Sequence, residues 1–347
     1  MKCSELCISP EKSIRQAMRQ LDDTAKKILF VVENGRLVAT LTDGDVRRHL
    51  LRGGQMEDSV VAAGNLHPRV AECRAEAKTL LKNNGLILTA VPVVSKNGAL
   101  LDVVLQSADQ SDSFPHLGIP VVIQAGGKGK RLDPYTRVLP KPLIPVGELP
   151  IIEHIMRQFA QYDCHDFHVI VNYKKQLMKA YFAENERQYQ LNWYDEEQPL
   201  GTGGGLCMLK GKINSTFFLT NCDILLRSDY DALLRFHREN GNVVTMVGAY
   251  KNLQIPYGVI EIGENGIIQG MCEKPELSFL TNTGVYLVEP EVLEDIEDGV
   301  AIGFPDIIEL QRKKGRRTAV FPVSEGQWLD MGQMDELESM RKTLYGE

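Results

Sequence analysis

The residues best equipped for chemistry in this 347-residue sequence lie in one stretch, residues 121–153, VVIQAGGKGKRLDPYTRVLPKPLIPVGELPIIE. A short apolar run, Val121 to Ile123, leads through Ala125 to Gly126, Gly127 and Gly129; Arg131, Pro134, Lys141 and Pro142 follow before a helix-like segment from Pro150. Glycines let the backbone pass close to an anion and take conformations closed to residues with a Cβ. Successive backbone N–H groups in such a turn form a concave anion site, and Arg131 and Lys141 add full positive charges. The stretch reads as a triphosphate cradle. It is not a P-loop, because no Gly-Lys-Ser/Thr closes it, and its glycine spacing is wrong for a dinucleotide fingerprint.

Further candidates stand apart from it. Asp223 ends an apolar run, FFLTNCD, at a strand terminus where a lone carboxylate seldom has a structural task. Asp330 sits in Trp328-Leu329-Asp330-Met331-Gly332, and ahead of both aspartates lies Glu196-Glu197-Gln198-Pro199-Leu200-Gly201-Thr202 followed by three glycines. The seven histidines form no H-x-x-x-H pair, and no serine or cysteine occupies a nucleophile elbow, so covalent catalysis is not expected. The seven cysteines include no C-x-x-C, which argues against a disulfide framework or a zinc site.

The elements that must position these residues divide the chain in two. From 119 onward short apolar strands (VVIQA, FHVIVN, FFLTNCD, NVVTMVGAY, TAVFPV) alternate with helical segments, which predicts an α/β fold with a mixed, mostly parallel sheet and ligands at the carboxyl ends of its strands. Earlier, VVENGRLVATLT at 31–42 is matched by VVSKNGALLDVVL at 93–105, with the turn asparagines 63 residues apart. Two copies at that period suggest a duplicated module packed as a pseudo-symmetric pair. Residues 107–118, SADQSDSFPHLG, are polar and aperiodic and read as a linker, so the domains are expected at 1–108 and 119–347 with 109–118 between them. A formal net charge of −7 opposes binding to nucleic acid. No apolar run approaches the roughly 20 residues of a membrane span, and the N-terminus lacks a signal-peptide core; a cytoplasmic protein with no membrane partner is expected.

Two resemblances follow from these residues. A helix, two strands around a turn and a closing Thr-x-x-Asp, Thr42 to Asp45, resembles a cystathionine β-synthase (CBS) motif, and the pair resembles a tandem CBS (Bateman) α+β module. The resemblance implies that Thr42 and Asp45 hold the phosphate and ribose of AMP, ADP or ATP, and that the module supports a homodimer or higher homo-oligomer. The bland reading is that the two residues cap a helix. The second copy departs from the motif, with Leu105, Gln106 and Ser107 at the equivalent place.

The second resemblance is to the sugar-1-phosphate nucleotidyltransferases, whose pattern G-G-x-G-x-R-L, P-x-T, P-K-P-L-x-P-V falls on Gly126 to Leu132, Pro134 to Thr136 and Pro140 to Val146. It implies a Rossmann-like nucleotidyltransferase domain in which a sugar 1-phosphate attacks the α-phosphorus of a nucleoside triphosphate and pyrophosphate leaves. Arg131 would hold the leaving phosphates and Lys141 the α-phosphate. Magnesium would be the cofactor, on Asp223 and Asp330, since it commonly takes one or two carboxylates plus substrate phosphates. Ala125, Gly126, Gly127, Gly129, Pro199, Gly201 and Thr202 would line the nucleotide, and Glu197 would accept both donors on the edge of guanine. Gln198 leaves uridine open. Tyr257 and Gly258, Glu273 and Lys274, and Asn282 and Thr283 match the family's sugar-phosphate segments. The order of CBS pair then transferase resembles the glucosamine-1-phosphate guanylyltransferases of legionaminic acid synthesis. The alternatives are a uridylyl, thymidylyl or cytidylyl transferase on another sugar 1-phosphate or phosphocholine, and a non-catalytic sensor of adenylate and sugar nucleotide.

Overall fold

The computed structural model describes residues 3–24, 26–83, 88–106, 114–184 and 189–346. It divides into two compact units, Met1–Ser113 with Pro322–Gly326, and Phe114–Phe321 with Gln327–Glu347. The second unit is thus interrupted: five residues near its end group with the first unit. Among the described residues no helix is long and apolar enough to cross a membrane.

The first unit contains β1 (Cys7–Ile8), α1 (Ile14–Thr24), β2 (Ile28–Glu33), β3 (Arg36–Thr42), α2 (Asp43–Leu51), α3 (Val60–Ala63), α4 (Arg74–Asn83), β4 (Ala90–Val94) and β5 (Leu100–Leu105). Helix α1 buries Ile14, Ala17, Met18 and Leu21, the i, i+3, i+4, i+7 stripe of an amphipathic helix. The β2–β3 hairpin turns at Asn34 and Gly35, both at positive φ (49° and 77°), as a two-residue primed turn requires. The second hairpin, β4–β5, turns through Gly98 at φ 82°. The two turns hold each other reciprocally: Leu37 N–H donates to the Gly98 carbonyl at 3.0 Å, and Leu100 N–H donates to the Gly35 carbonyl at 2.9 Å. Donors and acceptors are each 63 positions apart (37 to 100, 35 to 98), the period of the sequence repeat. The halves also share a core that joins Ile28 and Phe30 to Ala90.

The second unit contains β6 (Val121–Ala125), α5 (Tyr135–Val138), β7 (Pro145–Val146), β8 (Leu149–Pro150), α6 (Ile151–Ala160), β9 (Asp166–Val171), α7 (Lys175–Ala183), β10 (Gln190–Asp195), β11 (Phe217–Asn221), β12 (Ile224–Leu226), α8 (Tyr230–Glu239), β13 (Val244–Gln254), β14 (Val259–Ile262), β15 (Ile268–Cys272), β16 (Glu276–Val288), α9 (Glu291–Glu294), α10 (Phe304–Lys313), β17 (Thr318–Val323), β18 (Trp328–Asp330) and α11 (Met334–Tyr345). Its main sheet runs β10-β9-β6-β11-β16-β13-β17. The first four strands are parallel to one another; β16 is antiparallel to both β11 and β13. Val121, Val122 and Ile123 of β6 are fully buried, the pattern of a strand covered on both faces. Its carboxyl end therefore delivers the glycine loop to the sheet's ligand-facing edge.

The expected linker is only partly a linker. Residues 107–113 lie outside the described residues, whereas 114–118 belong to the second unit: Phe114 packs its ring on Tyr162 and Leu117 N–H donates to the Tyr162 carbonyl at 2.9 Å. An aromatic residue in the polar stretch anchors it. Residues 185–188, beyond α7, likewise lie outside the described residues.

Candidate active site

The chain leaves β6 at Ala125 and enters Gly126–Gly129, where two glycines are forced by their neighbours. A Cβ at Gly126 would lie 2.7 Å from Glu196 Oε2, and Gly129, at φ 63°, would press one to 3.0 Å from both Lys141 Cβ and Thr136 Cγ2. The loop thus lies directly on the three side chains that flank it, while a Cβ at Gly127 would meet nothing within 4 Å. Arg131, on the single turn Lys130–Leu132, is exposed and has no ion-pair partner among the described residues.

Lys141 is buried and forms an ion pair with Asp223, whose side chain is 14% exposed. Strand β11 ends just before Asp223, whose carbonyl accepts from Met331 N–H at 3.0 Å. There β12 and β18 pair antiparallel with Ile224 opposite Asp330, so this short ladder sets the two aspartates side by side. Burial pushes the Asp330 carboxyl up to about 6, the charges of Asp223 and Glu336 add to the rise, and Lys141 and Arg131 oppose it. Asp330 Oδ1 is buried without a hydrogen-bond partner, and so is Glu336 Oε2 in the first turn of α11. A buried oxygen left unpaired costs about 1–3 kcal/mol, which a bound cation would offset. No three His, Cys, Asp or Glu residues form a metal-holding group among the described residues. Two carboxylates with a vacant oxygen nevertheless suit magnesium, which keeps waters and phosphates as its other ligands.

Glu196 is the residue that sequence reasoning passed over. It follows β10 and is 5% exposed, whereas its neighbour Glu197 is exposed. Its carboxylate faces Gly126 on one side, and on the other Oε1 would lie 2.4 Å from a Cβ on Gly205. Oε1 has no hydrogen-bond partner. Burial pushes this carboxyl up to about 7, against the pull of the Leu200 N–H. The following loop is held from below: Gly201 takes φ 77° against the Ile302 carbonyl, and Thr202 Oγ1 accepts from Phe304 N–H at 3.0 Å, capping α10. Pro199 is exposed beside them.

The sugar-phosphate candidates form a separate group at the base of the β14–β15 ribbon. Lys274 N–H donates to the Tyr257 carbonyl at 3.2 Å, and a Cβ on Gly258 would lie 2.8 Å from Glu273 Oε2. Among the described contacts none joins this group to Asp223. Asn282 donates to the Tyr286 hydroxyl at 2.7 Å. Thr283 is 1% exposed, and its hydroxyl donates to the Val247 carbonyl at 2.8 Å beside a bulge between Met246 and Gly248.

In the first unit, Thr42 and Asp45 satisfy each other. Asp45 Oδ2 accepts from Thr42 N–H at 2.9 Å and from its hydroxyl at 2.6 Å, Thr42 Oγ1 accepts from Asp45 N–H at 3.2 Å, and Asp45 Oδ1 pairs with Arg48. This is a capping box at the start of α2. The helix cap named as the alternative reading is thus present in the structure.

Comparison with known proteins decides the family. The Nucleotidyl transferase family model matches residues 120–345, and a CBS domain model matches residues 1–52. The chain belongs to the nucleotidyl transferase family. Mannose-1-phosphate guanyltransferase of Saccharomyces cerevisiae is 32% identical over 225 residues, 61% of each chain, and the bifunctional protein GlmU of Methanococcus maripaludis is 30% identical over 220 residues, 61% of this chain and 51% of that one. The matched region thus spans about three fifths or less of these relatives' length. The crystal structure of HddC from Yersinia pseudotuberculosis covers 65% of this chain and 98% of its own with a TM-score of 0.51 at 21% identity, a likeness of fold. In the nucleotidyl transferase unit, the glycine loop and Lys141–Asp223 pair therefore lie inside the matched span, as does Glu196. One signal could have singled out Glu196: it stands at the carboxyl end of a parallel strand, the ligand-facing position of such sheets.

Proposed function

We propose that this chain transfers GMP from GTP to a sugar 1-phosphate. A phosphate oxygen of the sugar 1-phosphate bonds to the α-phosphorus, the bond to the β-phosphate oxygen breaks, and pyrophosphate leaves. The observation that carries the reading is the convergence of the glycine loop, Lys141, Asp223 and Asp330 at the carboxyl edge of the parallel strands.

Two anions must meet here, and each pair of unit charges about 4 Å apart repels by about 4 kcal/mol at an effective dielectric near 20. The loop N–H groups and Arg131 receive the β and γ phosphates. Lys141 exchanges Asp223 for the α-phosphate and the incoming oxygen. Asp223 and Asp330 would hold magnesium, which when bound supplies positive charge against the developing phosphate charge. Neither Arg131 nor Lys141 gains or loses a proton, so positioning and charge compensation are the whole contribution of these side chains.

Guanine is the base this reading favours, through Glu196 in place of Glu197. Two guanine donors, N1–H and N2–H₂, suit one ionised carboxylate. Glu196 is the buried carboxylate with a vacant oxygen beside the loop, and a guanyltransferase is among the relatives. Glucosamine 1-phosphate remains the preferred sugar from the order of the domains, and adenine nucleotides remain the proposed ligands of the first unit. The test is pyrophosphate release from four triphosphates against glucosamine, mannose and glucose 1-phosphates, repeated with AMP or ATP. The expected result is release with GTP well above the other three; silence in every combination would leave a sensor rather than an enzyme.

A further inference from the structure

Strand β6 places a polar side chain beside the site at Gln124, the residue before Ala125. Tyr194 of β10 lies opposite Ile170 of β9, Ile170 opposite Gln124, and Gln124 opposite Asn221 of β11. Residues paired in this way share a face of the sheet, as do residues two apart along a strand. Val122 is therefore on that face too, and it is fully buried in an apolar cluster with Ile170, Leu219 and Tyr286. Gln124 ends this apolar lane with an amide. Its Nε2 is buried and has no hydrogen-bond partner among the described residues.

Glu196 stands on the same face, one row nearer the carboxyl edge. It follows Tyr194 by two residues, and its N–H still donates to the Val171 carbonyl at 2.9 Å, continuing the ladder with β9. Gly126, whose Cβ would meet Glu196 Oε2, likewise follows Gln124 by two. The turn at Gly205 lies over both rows, since a Cβ there would be 2.4 Å from Glu196 Oε1 and 2.9 Å from Ile170 Cγ2. A buried donor and a buried acceptor thus occupy adjacent rows of one face, each without a partner. Such groups are costly to leave unmade, and a ligand that supplies both complements offsets the cost of each.

We propose that Gln124 is a base-specificity residue, its Nε2 donating to O6 of guanine while Glu196 accepts from N1–H and N2–H₂. The proposal rests on the guanine reading above and adds the group that meets the neighbouring corner of the ring. Along its pairing edge guanine carries O6, N1–H and N2–H₂, an acceptor beside two donors; the protein offers the complement, an amide donor beside a carboxylate. Adenine and cytosine carry an amine where guanine carries O6 and would set donor against donor at Gln124. Uracil carries O4 there and escapes this check. Gln124 accordingly discriminates against ATP and CTP, and Glu196, through N2–H₂, against UTP. A site built to bond a polar group rejects an analogue lacking it far more strongly than an apolar pocket rejects a methylene.

The test is pyrophosphate release by the native protein and by Gln124→Leu, which nearly keeps the size of the side chain and removes both polar atoms. The substrates are GTP, ATP, CTP, UTP and 6-thio-GTP, in which a weakly accepting sulfur replaces O6. The native protein should use 6-thio-GTP about tenfold less well than GTP in kcat/KM, and the variant should use the two equally. Gln124→Leu should lower kcat/KM about tenfold for both GTP and UTP, so that their ratio holds while the ratio of GTP to ATP falls about tenfold. A merely structural glutamine would move all five substrates together. Without nucleotide the leucine variant should melt at or above the native midpoint, because it removes a buried donor that has no partner. Native kcat/KM for GTP in the variant, a sulfur penalty equal in both proteins, or a uniform loss with a lowered midpoint would each overturn the role of Gln124 and leave Glu196 as the reader of the base. A native protein with no preference for GTP over ATP, CTP and UTP would instead overturn the guanine reading itself, and this proposal with it.

Discussion

Two carboxylate sites in this chain spend their oxygens in opposite ways. Asp45 is engaged at both oxygens, by Thr42 and by Arg48. Asp330 and Glu196 each keep a buried oxygen without a hydrogen-bond partner, and both carboxyls are pushed upward chiefly by burial. The first arrangement is complete as it stands. The second is incomplete, and buried groups of that kind cluster where a ligand, cation or proton is meant to arrive. The contrast separates a helix cap from the proposed reaction site using the same residue types.

The strongest way to break that contrast is at Asp223. Asp223→Asn keeps the shape and an acceptor for Lys141 but removes the charge that would hold a cation. Pyrophosphate release should fall by on the order of a thousandfold, with a thermal midpoint within a few degrees of the native protein. Turnover within tenfold of native would return Asp223 to the class of Asp45, a carboxylate whose only partner is within the fold.

Glu196 comes next. Glu196→Gln should lower kcat/KM for GTP about a hundredfold, because an amide can accept only one of the two guanine donors, and should raise that for UTP. In the native protein GTP turnover should decline as pH falls below about 7, where the carboxyl takes a proton and stops accepting. Stability carries the opposite sign from a usual ion-paired carboxylate. With the folded value raised from 4.5 to about 7, the folded state binds the proton more tightly, so stability falls as pH rises from about 4.5 to 7. The Gln variant should therefore gain in thermal midpoint over native at pH 8 and not at pH 4.5. A pH-independent GTP profile between 6 and 8, with equal midpoints for the two proteins, would assign base reading elsewhere.

The choice between Glu196 and Glu197 shows why sequence alone stopped short. Consecutive residues at a strand end face opposite ways, so a one-residue difference decides between sheet edge and solvent. That register depends on β10, whose run QLNWYD mixes polar and aromatic residues and lacks the apolar signature of β6. The pairing of β12 with β18, which joins Asp223 to Asp330, is a contact between segments far apart in the chain and has no local signature. By contrast, the Asn34-Gly35 turn and its partner at Gly98 were legible because only certain residues take positive φ cheaply. The glycine loop was legible for the related reason that Gly129 takes φ 63° and a Cβ at Gly126 or Gly129 would crowd the side chains beside it. Local backbone chemistry is written in residue types; tertiary juxtaposition is not.

The smallest expected effect tests the other side of the contrast. Asp45→Ala removes the reciprocal half of the capping box and frees Thr42 N–H, which should cost about 1 kcal/mol. Read as the midpoint of the first unit, that is a drop of roughly 4–8 °C. Asp45→Asn should recover most of it, because the amide oxygen still accepts from the Thr42 N–H and hydroxyl. Calorimetric titration with AMP or ATP supplies the discriminating half of the experiment. If Asp45 is a cap, the alanine variant loses stability and the asparagine variant does not, whatever nucleotide heat the native unit shows. If both variants keep the native midpoint and lose that heat together, the carboxylate must turn from Thr42 to ribose on binding, and a fully satisfied pair would no longer mark a purely structural site.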